Sequence, residues 1–144
     1  MSKFYKFDLT PQVKGFVEWQ LEHYKEDKRE LEEYKRDAIP SATSGYSLSG
    51  GCSHGVSRST EDVVVRIETN VYVEQLERSC KAIERVLSHL CETDMKLIDL
   101  AYWKRSHTIE GAGIAIGLSK SVTYRHVNAI LGLVAKEMGL ISIQ

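Results

Sequence analysis

The chain has 144 residues, 42% of them hydrophobic, with 19 Lys/Arg against 20 Asp/Glu and a formal net charge of −1. That length sets one small domain, or one domain with a helical arm, as the expectation, and the near-neutral balance excludes an overall attraction to a polyanion. No run of about 18 apolar residues marks a membrane helix, and the opening MSKFYKFDLT lacks the apolar centre of a signal peptide.

The first element predicted is a helix from Pro11 to Ala38. Proline suits a first helical turn, where its missing N–H costs little. Val17, Tyr24, Leu31 and Ala38 recur every seven residues, with Phe16, Leu21 and Tyr34 broadening the stripe. Gln20 and Asp27 stand where a strong seam would carry leucine, so this helix needs a partner. The Glu/Lys/Arg-rich remainder is a solvated face, with Glu32 and Arg36 favourably paired along it. Ile39-Pro40 ends it, because proline disfavours helix in the residue before it.

Residues 40–60 contain seven Ser and four Gly and are expected to form a flexible linker. Cys52 and His54 there could donate two metal ligands, but two more are not evident, so plain loop residues are the default. Three cysteines (Cys52, Cys80, Cys91) without CxxC spacing fit neither a disulfide scaffold nor a zinc finger, and a reduced, cytoplasmic setting is expected with no metal or other cofactor.

Residues 61–69 are ambiguous between strand and helix. Val63, Val64 and Val65 are β-branched, but no partner strand is evident, so they read as the frayed start of the next helix. That helix spans residues 70–90. Val73, Leu76, Cys80, Ile83, Leu87 and Leu90 alternate spacings of three and four, an a/d seam short of three heptads. Packing within the chain against the first helix is the first reading of this seam, and a homo-oligomer interface is the other. Cys80 sits in it as a small apolar residue.

Thr93 is expected to cap a further helix, with Asp94 in its first turn. Leu97, Ile98, Leu100, Ala101, Tyr102 and Trp103 make that helix apolar on several sides, as a central helix requires, and it ends near Lys104-Arg105.

Residues 108–128, TIEGAGIAIGLSKSVTYRHVN, carry the functional signal. Thr108 opens a short helix in which Ala112 and Gly113 are small enough for a second helix to cross closely. Gly117 supplies the left-handed turn, Leu118 plugs the angle, and Ser119 is a strong N-cap for the second helix. At about 100° per residue, Thr123, Val127, Ile130, Leu131, Val134 and Met138 share a core face. Val122, Ala129 and Leu133 form a second apolar stripe, and His126 falls at the core border or in solvent. Ser121, Arg125 and Asn128 point away from the core, with Tyr124 on the border. Arg can grip guanine and Asn adenine with two bonds each, while Ser119 and Lys120 at the positive helix end suit phosphate oxygens. Residues 119–131 hold two basic residues and no acid, and residues 93–144 carry 6 Lys/Arg against 4 Asp/Glu while residues 1–92 carry 13 against 16. The expected site is therefore Ser119, Lys120, Ser121, Tyr124, Arg125 and Asn128, entering the major groove of double-stranded DNA.

The order of parts, together with Leu97-Ile98-Asp99-Leu100, Tyr102-Trp103, Thr108-Ile109-Glu110, Leu118-Ser119-Lys120-Ser121, Tyr124-Arg125 and Asn128, resembles the RinA/ArpU-type phage transcriptional regulators of Gram-positive bacteria. The C-terminal part is also similar to the promoter-reading domain of sigma factors. The resemblance implies activation of phage late genes for packaging and morphogenesis by binding promoter DNA, contact with host RNA polymerase as a further possibility, and no enzymatic activity. Gly111 and Gly113 depart from it, each costing about 0.5–1 kcal/mol relative to alanine in a helix. His107 and His126 have no carboxylate or nucleophile at a spacing that suggests catalysis.

The expectation is thus an all-α chain: an N-terminal amphipathic helix (1–39), a Gly/Ser-rich linker (40–60), a heptad-patterned helix (61–92) and a sigma-like helix-turn-helix unit (93–144). The leading function is a sequence-specific DNA-binding transcriptional activator. A small-terminase-like DNA-recognition subunit of phage packaging, assembling as a ring, and a helical adaptor that never touches DNA are the alternatives.

Overall fold

A computed structural model describes residues 7–38 and 60–142. It is all-α: α1 (Pro11–Ala38), α2 (Thr60–Leu87), α3 (Glu92–Ile98) running into a π-helical turn (Asp99–Trp103), α4 (Ile109–Ala115) and α5 (Lys120–Glu137). No strand occurs among the described residues. The expected linker, apart from Thr60, lies outside them, as do Cys52 and His54. No described helix is long and apolar enough to cross a membrane.

Thr10 opens α1: its hydroxyl accepts from the Val13 N–H at 3.3 Å, and Pro11 takes the first helical position. The stripe on α1 is real but narrower than the sequence implied. Val17, Leu21, Tyr24 and Leu31 are buried, whereas Phe16 is 47% exposed. Phe16 falls one position off the inward row and, with Trp19, Gln20 and Asp27, lines an open cleft of about 490 Å³ facing Tyr72, Gln75 and Leu76 of α2.

Residues 61–69 are helical, continuous with the rest of α2. With no strand among the described residues to complete a sheet, their β-branched preference has no ladder to join. The seam of α2 is used inside the chain. Leu76, Cys80 and Ile83 are buried, and Val73, Leu87 and Leu90 pack against the same core. α2 lies along α1 and also rests on α5. Around this hydrophobic contact the helices exchange surface pairs, Lys28–Glu84 at 2.9 Å and Lys35–Glu77 at 3.3 Å, and Tyr24 Oη donates to Glu84 at 3.1 Å. Pairs this exposed add little stability, so apolar burial holds the hairpin.

Thr93 is not the cap of α3. The chain leaves α2 through a turn in which the Leu90 N–H bonds to the Leu87 carbonyl at 3.2 Å, and Cys91 then takes the extended cap conformation (φ −75°, ψ 167°) without a side-chain bond. The helix thus begins at Glu92, and Glu92 and Asp94 both stand in its first turn, where the dipole favours acids. At its other end the helix widens into the π turn, closed by the Lys104 N–H on the Asp99 carbonyl at 2.8 Å. The wide turn aims Trp103 so that its indole N–H donates to the Leu21 carbonyl of α1 at 3.1 Å. It also buries Tyr102, whose Oη has no hydrogen-bond partner among the described residues and whose ionisation burial strongly disfavours.

One hydrophobic cluster holds residues from both sides of residue 92: Leu21 of α1, Ile83 of α2, Leu97 and Ile98 of α3, and Val127, Leu131 and Val134 of α5. Even the segment leading into α1 joins in, since the Phe7 ring occupies the space a Cβ at Gly132 would need. α5 is therefore the axis on which the hairpin and α4 both rest.

Candidate nucleic-acid interface

The corner between α4 and α5 is built from local chemistry at every step. Thr108 caps α4, its hydroxyl accepting from the Gly111 N–H at 3.0 Å. Gly117 adopts φ +85°, the left-handed conformation that ends a helix. The Leu118 N–H then reaches back to the Gly113 carbonyl at 2.8 Å, and the Gly117 N–H to Ile114 at 3.0 Å. Ser119 caps α5, accepting from the Val122 N–H at 3.4 Å.

The two helices meet at Gly113 and Thr123, both buried. A Cβ at residue 113 would collide with the Thr123 side chain. This accounts for glycine at position 113: its propensity cost is accepted because the helix axes come too close for alanine. Thr123 is fully buried yet satisfied, its Oγ1 donating to the Ser119 carbonyl at 2.8 Å. Gly111 is less constrained, its missing Cβ facing the Thr108 hydroxyl at 3.2 Å.

The projection of α5 holds. Thr123, Val127, Ile130, Leu131 and Val134 are buried, Met138 is half-buried, and Val122, Ala129 and Leu133 are half-buried beside them. On the other side Ser119, Lys120, Ser121, Arg125 and Asn128 are exposed and Tyr124 is half-buried. The outward flank of the second helix is thus on the surface and is not covered by the hairpin.

Two contacts were not legible from spacing. Glu110 of α4 reaches across to α5, where one of its oxygens, Oε1, takes the Lys120 ammonium at 3.0 Å and the Tyr124 hydroxyl at 2.9 Å. Residues 119–131 contain no acid, but the fold brings Glu110 to them. Lys120, and then the Tyr124 hydroxyl, hold the Glu110 carboxyl below the usual carboxylate range, while Glu110 raises both Lys120 and Tyr124 above theirs. The signal that could have found this was Glu110 itself, on the first turn of α4 beside the corner that Gly117 makes.

The second contact joins His126 to α3. Its Nδ1 lies 2.6 Å from Asp94 Oδ1, with both side chains mostly covered. His126 is therefore a half-buried tie between α5 and α3. His107 is exposed, 2.8 Å from the Ser106 hydroxyl. No group of three or more His, Cys, Asp or Glu among the described residues could hold a metal ion.

The other basic residues near the corner are engaged elsewhere. Lys104 pairs with Asp99 at 2.7 Å and Arg105 with Glu22 of α1 at 3.3 Å. The exposed cations on the flank itself include Lys120, paired with Glu110, and Arg125, which also has an interaction of its own. Compared with known proteins, the chain matches no family model, no curated protein and no solved structure.

Proposed function

We propose that this chain is a sequence-specific DNA-binding transcriptional activator that inserts the first turns of α5 into the major groove. The observation that carries the reading is the exposure of Ser121, Arg125 and Asn128 on the outward flank of a helix that α4 braces at a glycine-cornered turn. In this mechanism Arg125 and Asn128 address base edges. Ser119 and Lys120, at the positive end of α5, hold the backbone and set the register. Tyr124 lies at the edge of the same flank, within reach of a phosphate or a base.

The resemblance to RinA/ArpU-type regulators supports the finer assignment: activation of phage late genes for packaging and morphogenesis, with RNA polymerase as a further partner. The deciding experiment selects bound fragments from a host and prophage genome and then measures the best duplex at two salt concentrations. Affinity should fall with salt, because each neutralised phosphate releases counterion. Arg125→Ala should lose roughly 1–3 kcal/mol on the selected duplex and relax base preference at one position. Unchanged affinity in that variant removes Arg125 from base recognition, and absence of duplex binding by the parent chain ends the DNA reading.

One observation favours a second reading, a helical adaptor. Phe16, Trp19, Val71 and Tyr72 are exposed on the hairpin, at 47%, 51%, 48% and 42%. Exposed apolar side chains grouped in this way mark protein contact surfaces. An adaptor would bind a protein partner and show no salt-dependent affinity for DNA.

A further inference from the structure

Glu110 is an acid that the fold draws onto the proposed DNA-reading flank, and its geometry gives it a task. A single oxygen, Oε1, holds both the Lys120 ammonium, at 3.0 Å, and the Tyr124 hydroxyl, at 2.9 Å. Neither end of the ion pair is walled off, since the side chains of Lys120 and Glu110 are 70% and 40% exposed. We propose that Glu110 is an autoinhibitory latch: its carboxylate occupies the phosphate-gripping groups of α5 when no DNA is bound, and so weakens binding to any duplex.

Two anions compete for the same ammonium. A phosphate oxygen arriving at Lys120 meets an ammonium already paired, and a carboxylate of its own sign beside it. To take Lys120 it must displace Glu110 or tolerate it nearby. Every duplex that grips Lys120 must make the same exchange, so a carboxylate on the neighbouring helix lowers binding to all DNA by a common factor, and base contacts on a cognate duplex add to it separately. Exposed ion pairs are weak, so the latch opens readily. The inference rests on the DNA-binding reading.

The test uses the full chain, a labelled duplex of scrambled sequence and the duplex selected from the genome. Glu110→Gln should bind the scrambled duplex roughly two- to fivefold more tightly at low salt, within the range an exposed pair can supply. The log–log salt slope should steepen by about 0.9, the share of one further phosphate. Affinity for the selected duplex should rise by a similar factor, because the exchange at Lys120 is common to both duplexes. In a Lys120→Gln background the same Glu110→Gln change should have much less effect. An undiminished effect there, or no gain in the parent background, overturns the latch.

A readout without DNA separates this failure from that of the functional reading. Glu110 holds the Tyr124 phenol above its ordinary range, so Glu110→Ala should bring the Tyr124 titration, followed by carbon-labelled tyrosine NMR, down towards it. A Tyr124 titration that does not move shows that the contact is not formed in solution and overturns the latch directly. If the titration moves but the parent chain has no affinity for either duplex, the DNA reading fails and the latch falls with it, leaving Glu110 as a brace between two helices.

Discussion

The α1–α2 hairpin and the α4–α5 corner solve the same problem, the joining of two helices, by opposite means. The hairpin uses side-chain volume: Val17, Leu21, Tyr24 and Leu31 fill the space against Leu76, Cys80 and Ile83, and long charged side chains decorate the edges. The corner uses the absence of volume, bringing α4 onto α5 where Gly113 has no side chain and Thr123 takes the space. The hairpin therefore tolerates change at its rim. The corner tolerates little at its centre, and that tightness fixes the angle at which the outward flank of α5 is held.

The largest expected effect tests the hairpin. Ile83 is 1% exposed, so Ile83→Asp buries an unpaired charge and should cost more than about 4 kcal/mol. That is a large part of the roughly 5–15 kcal/mol that holds a typical domain together. Thermal melting followed by circular dichroism should lose its cooperative transition. Val71→Asp, on the exposed side of the same helix, should stay within about 0.5 kcal/mol of the parent. Equal melting temperatures for both variants would show that the seam is not the core.

Next comes the corner. Gly113→Ala gains about 0.5–1 kcal/mol of helix propensity but forces an overpacked contact that costs about 1–3 kcal/mol, so the sign of the result is informative. Destabilisation in a denaturant titration, partly relieved by adding Thr123→Ala, is expected. A stabilised Gly113→Ala would mean that the helices can move apart and that the corner is not tight.

A smaller effect concerns the caps. Thr108→Ala removes a bond of 3.0 Å and Ser119→Ala one of 3.4 Å. Cap losses run from about 0.5 to 2 kcal/mol, and the longer bond should fall at the low end. Urea midpoints in the reverse order would assign the main cap to Ser119.

The smallest effect is electrostatic and lies back in the hairpin. Burial, and next to it the negative Glu30 and Glu26, raises the Asp27 carboxyl against the opposing pull of His23. An acid whose folded pKa is raised destabilises the fold while charged, and the penalty fades as pH falls through that raised value. Asp27→Asn should therefore melt slightly higher than the parent at neutral pH, with the gain vanishing on acidification. Glu84 has the opposite sign. Lys28 above all, and then the Tyr24 hydroxyl, lower its pKa, so its stabilising contribution is present at neutral pH and lost as pH falls through the depressed value. A gain from Asp27→Asn that grew on acidification would contradict the assignment.

Much of this molecule was legible in the chain because its signals are local or periodic. Gly117 at a positive φ, the caps at Thr108 and Ser119, and the inward row of α5 each depend on a few neighbouring residues or on helical pitch alone. The Cys91 cap was hidden because its side chain makes no bond, and the turn after α2 sets where α3 begins. The misplacement of Phe16 has a related cause, for one residue is about 100° of helix, and only the position of the partner decides which edge of a broad stripe is covered.

The pattern of apolar residues and of capping and turn residues determined by itself that this chain is helical, where its last two helices bend, and which side of α5 faces outward. The tertiary structure alone decided that the α2 seam is covered by the chain's own helices, that Gly113 is required by Thr123, and that Glu110 sits upon Lys120 and Tyr124. The physical reason is range. Backbone geometry and periodicity act over one or two helical turns, whereas a contact between side chains on different helices exists only once crossing angle and separation are set by the whole core.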